Sequence, residues 1–161
     1  MANNRHPFSA IVFAVISTVI LWDLKYDLHS IEAAYKYYKV DQNSNIIFQL
    51  FIPSLIIILA IDLIYNIIKY RKSLDITIAL LNLVSIYGFV FINIPCQEKI
   101  VELGLDKLSE MQIYYENNKN CHMMLLPVMI ISFLLQTIVL SQNDDKNLNK
   151  DEEYLIERKN R

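Results

Sequence analysis

The hydrophobic positions of this chain gather into four long runs separated by polar stretches. Residues 7–22, 43–61, 76–97 and 122–143 contain no Asp, Glu, Lys or Arg, and the second run resumes beyond Asp62 as far as Ile68. A helix rises 1.5 Å per residue, so roughly 20 residues cross the ~30 Å hydrocarbon layer of a bilayer. Three runs are long enough alone; the first becomes so with its flanks, where Trp22 and Tyr26 suit an interface. The pattern predicts an all-α fold, an integral membrane four-helix bundle. Spans are expected at about 7–24, 45–68, 74–95 and 122–141, making one membrane domain over 1–140 and a polar tail over 141–161. No small-residue cleavage site follows the first run, so it reads as a retained span.

The stretches between the spans are patterned too. Leu24, Leu28, Ile31, Tyr35 and Tyr38 recur at steps of four and three, with Glu32, Lys36 and Lys39 on another face. This predicts an amphipathic continuation of the first span as one helix to about Val40, ending in the turn-like string from Asp41 to Asn45. Val101, Leu105, Leu108, Met111 and Tyr115 draw a similar stripe before the fourth span. Both stripes are expected to pack on the outer ends of the spans. The tail beyond Ser141 is polar and mixed in charge, which predicts mobility with a short helix around Glu152 to Arg158.

Charge sets the expected orientation. The connection between spans two and three carries Lys69, Arg71 and Lys72 and no acid, which places it in the cytoplasm together with both termini. Lys146, Lys150, Arg158, Lys159 and Arg161 in the tail agree, and the two outer segments hold six Lys against nine acids. The last four residues resemble a dibasic retrieval signal of the endoplasmic reticulum, a reading that holds if the source is eukaryotic. The whole chain of 161 residues carries a net charge of -2, which excludes a nucleic-acid binder held by phosphate neutralisation. The expected partners are the lipid bilayer and a membrane protein, either another chain or a second copy of this one.

Polar residues inside the runs are the candidate functional groups. Asp62 lies seven residues before Lys69, roughly 10 Å into the membrane, and Asn82 lies at similar depth on the next helix. A hydrogen bond between them is expected to fix the packing of spans two and three, with a ligand site or acid–base chemistry as the sharper reading of Asp62. Asp75, Asn82 and Asn93 are separated by 7 and 11 residues, which at 100° per residue puts them on one line. His122, Met129 and Gln136 recur every seven residues on the fourth span, beside Ser132. Lipid cannot satisfy such groups, so both stripes are expected to face the bundle interior or a watered cavity. Asp62, Asn82, Asn93 and Gln136 are therefore the candidate binding residues, and His122 and Asp62 the candidate catalytic groups.

The two cysteines, Cys96 and Cys121, fall where the third span leaves the membrane and the fourth enters it, both on the expected outer side. A disulfide between them is expected, with two free thiols as the alternative. Bridged Cα atoms lie about 4.4 to 6.8 Å apart, so a single straight helix between these cysteines is limited to about 16 residues if the remaining chain, at ~3.4 Å per residue, is to return. The segment is accordingly expected to be a short helix, or one broken near Gly104, folded down over the outer ends of spans three and four. No ligand spacing for a metal, phosphate-binding Gly-rich loop, nucleophile elbow or His-Glu-x-x-His pair is present, so neither a metal nor a cofactor is expected. His6, His29 and His122 all sit at or beyond the span edges, which gives no haem site.

The order of four spans, the string Phe91-Ile92-Asn93-Ile94-Pro95-Cys96-Gln97 leaving the third, an outer helical segment and His122 opening the fourth together resemble the anthrone oxygenase-like family of small four-helix membrane proteins, over roughly residues 46–140. The resemblance implies a four-helix membrane fold and an enzyme acting on a hydrophobic, aromatic substrate. The chain departs from that family's pattern at Gln97, where Asn is usual, and at Leu125, where Arg is usual. From the residues alone, the leading expectation is a non-enzymatic multipass membrane protein that binds a membrane partner or a lipid-like ligand, and the alternative is the membrane enzyme.

Overall fold

The computed structural model describes residues 8–70 and 73–159. Helix α1 (Phe8–Asp27) is followed by a short amphipathic helix α2 (Ile31–Gln42), then α3 (Ile46–Tyr70), α4 (Ser73–Gly88), a π-helical turn (Phe89–Asn93), α5 (Ile94–Leu103), a 3-10 turn (Leu105–Lys107) and α6 (Leu108–Lys159). Four stretches are long and apolar enough to cross a membrane: Phe8–Asp27, Leu50–Lys69, Ser73–Leu103 and Leu105–Gln142. They pack as a helical bundle in which α1 lies chiefly against α6, and α4 against both α6 and α3.

The bundle has an apolar core into which polar residues are set, and its outer surface is apolar. Along α6 the buried positions Met111, Tyr115, Asn118, His122, Leu125, Met129, Ser132, Gln136 and Val139 alternate steps of four and three, with Cys121 buried beside them. The same alternation in α1 buries Ser9, Phe13, Ile16, Ile20, Asp23 and Asp27. This is the seam of near-parallel helices packing knobs into holes. The outward faces carry Ile57, Ile61, Ile64, Leu80, Leu83, Tyr87 and Phe91, all exposed.

Several expectations about the connections are corrected. The first span does not run on to Val40: the helix stops at Asp27, and Ser30 starts a new one by accepting the Ala33 N–H on its hydroxyl at 3.1 Å. Leu28, expected on the apolar stripe, is exposed. The break near Gly104 is present, with φ 66° and ψ 176°, a conformation that essentially only Gly adopts. The segment does not fold down over the spans, however, because α5 continues the third span in line and α6 begins well before the fourth. These extensions and α2 share a second small core of Ala34, Tyr38, Ile100, Met111 and Tyr115. The tail is also helical, since α6 continues unbroken to Lys159. Arg71 and Lys72, part of the charge argument for orientation, lie outside the described residues.

The π turn has an identifiable cause. Pro95 follows it in the first turn of α5, and a proline ring clashes with the carbonyl four residues earlier unless the helix widens there. Gly88, immediately before the wide turn, packs so closely on α6 that a Cβ there would lie 3.0 Å from Leu125 Cδ2. Together they bring Asn93 against His122.

Candidate functional site

The polar groups of four elements, α1, α2, the π turn and α6, converge at the end of the bundle where α1 stops. His122 is fully buried, and its Nδ1 lies 2.6 Å from Oδ2 of Asp27, also fully buried. On the other side of the ring, the Asn93 amide meets Nε2. Asp27 is held from several directions: the Tyr38 hydroxyl donates to Oδ1 at 2.7 Å, the Asn118 amide donates to Oδ2 at 3.2 Å, and the Tyr115 hydroxyl donates to the backbone carbonyl. Asn118 also donates to the Tyr38 oxygen at 2.8 Å.

This wiring fixes a proton arrangement. A carboxylate only accepts, so its pairing with His122 requires an N–H at Nδ1, and that tautomer leaves Nε2 to accept from the Asn93 N–H. The Asn93 carbonyl oxygen is buried and has no partner among the described residues. A half-turn of the amide would present that oxygen to Nε2, which suits a ring carrying a second proton. Asn93 can therefore serve His122 in either protonation state.

Asp23, one turn before Asp27, connects this buried set to a cavity. Its Oδ1 accepts the Tyr37 hydroxyl at 2.6 Å, while Oδ2 stands 3.6 Å from His122 Nε2, beyond hydrogen-bond reach. The cavity has a volume of about 430 Å³, within the size range of small-molecule sites. Val19, Ile52, Pro53, Phe89 and Ile94 give it an apolar part, and Asp23, Tyr37, Tyr38, Asp41, Gln42, Gln97 and Glu98 a polar one. Beside it Tyr26 stacks on Tyr37 with ring centroids 4.3 Å apart, and Trp22 meets Tyr26 edge-on, an aromatic layer suited to a membrane interface. Burial and the neighbouring carboxylates, Asp23 for Tyr37 and Asp27 for Tyr38, push both hydroxyls above the usual phenol range, so they act as donors. Burial also raises Asp41.

Of the residues singled out from sequence, His122 and Asn93 meet here and the others do not. Asp62 is half-buried and takes the amide of Asn66, four residues on in its own helix, at 3.0 Å. The expected bond to Asn82 is not formed, and the Asn82 oxygen is buried without a partner among the described residues, as is the Gln136 oxygen. Neither cavity wall nor cluster includes Asp62. Cys96 and Cys121 are buried free thiols, which corrects the expected disulfide; the Cys121 thiol donates to the Gly88 carbonyl at 3.4 Å. Asp23, Asp27, Tyr37, Tyr38 and Asn118 were not anticipated. The available signal was the α1 seam itself, since the spacing of Phe13, Ile16 and Ile20 continues onto Asp23 and Asp27.

Comparison with protein-family models, with curated proteins and with solved structures finds no match to this chain.

Proposed function

We propose that this chain is a multipass membrane protein that binds a lipid-like small molecule in the cavity between α1, α2, α3 and the π turn with α5. The observation that carries this reading is the joining of a ligand-sized, part-apolar cavity to a buried Asp–His–Asp set through Asp23. A membrane partner protein would need no such internal space. On the charge balance of the outer segments, the cavity end faces away from the cytoplasm.

A second reading, a membrane enzyme acting on a hydrophobic aromatic substrate, is favoured by one feature. Asp27 orients the imidazole through Nδ1, and Nε2, which the Asn93 amide meets, would serve as a general base once a substrate displaced that amide. The two stretches that carry the resemblance to the anthrone oxygenase-like family also meet at this site, since Asn93 bonds His122 and Gln97 lines the cavity.

A long-chain alcohol bearing a diazirine, photolysed in membranes containing the full chain, tests the binding reading. Crosslinks are expected at Val19, Ile52 and Phe89; crosslinks confined to outward residues such as Leu80 and Leu83 would overturn it. Lipid extracts distinguish the second reading: a compound consumed by membranes of the parent chain but not by those of His122→Gln would establish catalysis.

A further inference from the structure

The cavity's lining also carries a charge signature, and resting on the binding reading above, we infer that its ligand is a cationic amphiphile: an organic ammonium head on an apolar body. Among the described residues that line the cavity, Asp23, Asp41 and Glu98 carry carboxyl groups and none is Lys, Arg or His.

Three lysines near the lining residues in sequence have partners outside the cavity. Lys25 lies over the Trp22 ring at 4.8 Å, Lys39 donates to the Tyr35 hydroxyl at 3.1 Å, and Lys99 pairs with Glu102 at 2.6 Å. His122 stands behind the wall with its Nδ1 proton committed to Asp27. None of these three lysines is paired with a carboxylate of the cavity lining.

Asp23 supplies the specific contact. It is only 8% exposed, one carboxylate oxygen holds the Tyr37 hydroxyl, and the other has no donor within hydrogen-bond distance. A buried carboxylate in a cavity wall, held by one hydroxyl and with an imidazole nitrogen 3.6 Å from its other oxygen, keeps acceptor capacity for a charged donor. Tyr37 and Tyr38 add aromatic rings, which attract an ammonium group. Val19, one turn below Asp23 on α1, with Ile52, Pro53, Phe89 and Ile94, takes the apolar body. A bare metal ion fits poorly: no group of three or more His, Cys, Asp or Glu placed to hold one occurs among the described residues.

The test uses the full chain in phosphatidylcholine nanodiscs, titrated calorimetrically with dodecylamine, dodecyltrimethylammonium, dodecanol and dodecanoate, with empty nanodiscs as the partition blank. Both cations are expected to bind at least roughly tenfold more tightly than the alcohol, and the carboxylate most weakly. Asp23→Asn is expected to reduce that preference to within about threefold. Asp41→Asn, a second carboxyl of the lining whose loss is expected to stabilise the fold, reduces it in part, and Glu110→Gln, away from the cavity, keeps it. Equal binding of cation and alcohol, or unchanged preference in both Asp variants, overturns the ammonium inference while leaving the binding reading standing. Saturable binding of none of the four overturns both.

Discussion

The Nδ1 of His122 lies 2.6 Å from Oδ2 of Asp27, a residue 95 positions away in the chain. Each is fully buried, so the contact joins the end of the first span to the start of the fourth in a region without water. Breaking a buried pair by removing one partner leaves an uncompensated polar group and costs about 3–5 kcal/mol. His122→Leu is expected to lower stability by an amount in that range in detergent unfolding assays. A loss below about 1 kcal/mol would mean that the pair does not hold the helices together.

Tyr38→Phe removes the hydroxyl that donates to Asp27 at 2.7 Å and accepts from Asn118. The expected cost is about 1–3 kcal/mol, the penalty for a buried acceptor left short of a donor. Tyr35→Phe, which loses only an exposed contact with Lys39, is the paired control and is expected to be nearly neutral. Equal effects in the same unfolding assay would remove the special role of Tyr38.

Gly104→Ala tests the break between α5 and α6. At φ 66° and ψ 176° a side chain is strained whatever space surrounds it, and the nearest atom to a new Cβ is the Tyr35 hydroxyl at 4.0 Å. The expected loss is about 1–3 kcal/mol from backbone strain alone. An unchanged midpoint of thermal unfolding would contradict that geometry.

Asp41 gives a pH signature. Burial raises its carboxyl above the ordinary value of 3.8, so the folded state binds this proton more tightly than the unfolded state does. Stability contributed by the group is then present at low pH and declines as pH rises through the raised value. Asp41→Asn, in the ligand-free chain, is expected to unfold at a higher temperature than the parent at neutral pH, with the difference vanishing below about 3.8. A difference that grows on acidification would reverse the sign and refute the assignment.

Much of this molecule is legible in one sequence because bilayer geometry acts locally. A charge-free run of sufficient length must be a helix in lipid, since no other open segment satisfies its own backbone. The same constraint turns Asp75, Asn82 and Asn93, and likewise His122, Ser132 and Gln136, toward the interior, where the structure buries them all. Gly104 marked its own break. Periodicity says which face of a helix is turned inward but not which residue of another helix it meets there. Asp62 therefore stood out as an acid in a span, although the partner it meets among the described residues is Asn66 of its own helix. Asp23 and Asp27 fell at and just beyond the expected end of the first span, on its helical continuation, where nothing marked them as interior, although they complete the α1 seam. The cysteines show the same limit: their places at matching span ends suggested a bridge, while the in-line extension of α5 and α6 leaves two free thiols. Only the packing of α1, α2, the π turn and α6 around one end of the bundle brought Asp27, Tyr38, Asn93, Asn118 and His122 together, because their meeting depends on helix register across long sequence separations and not on any local pattern.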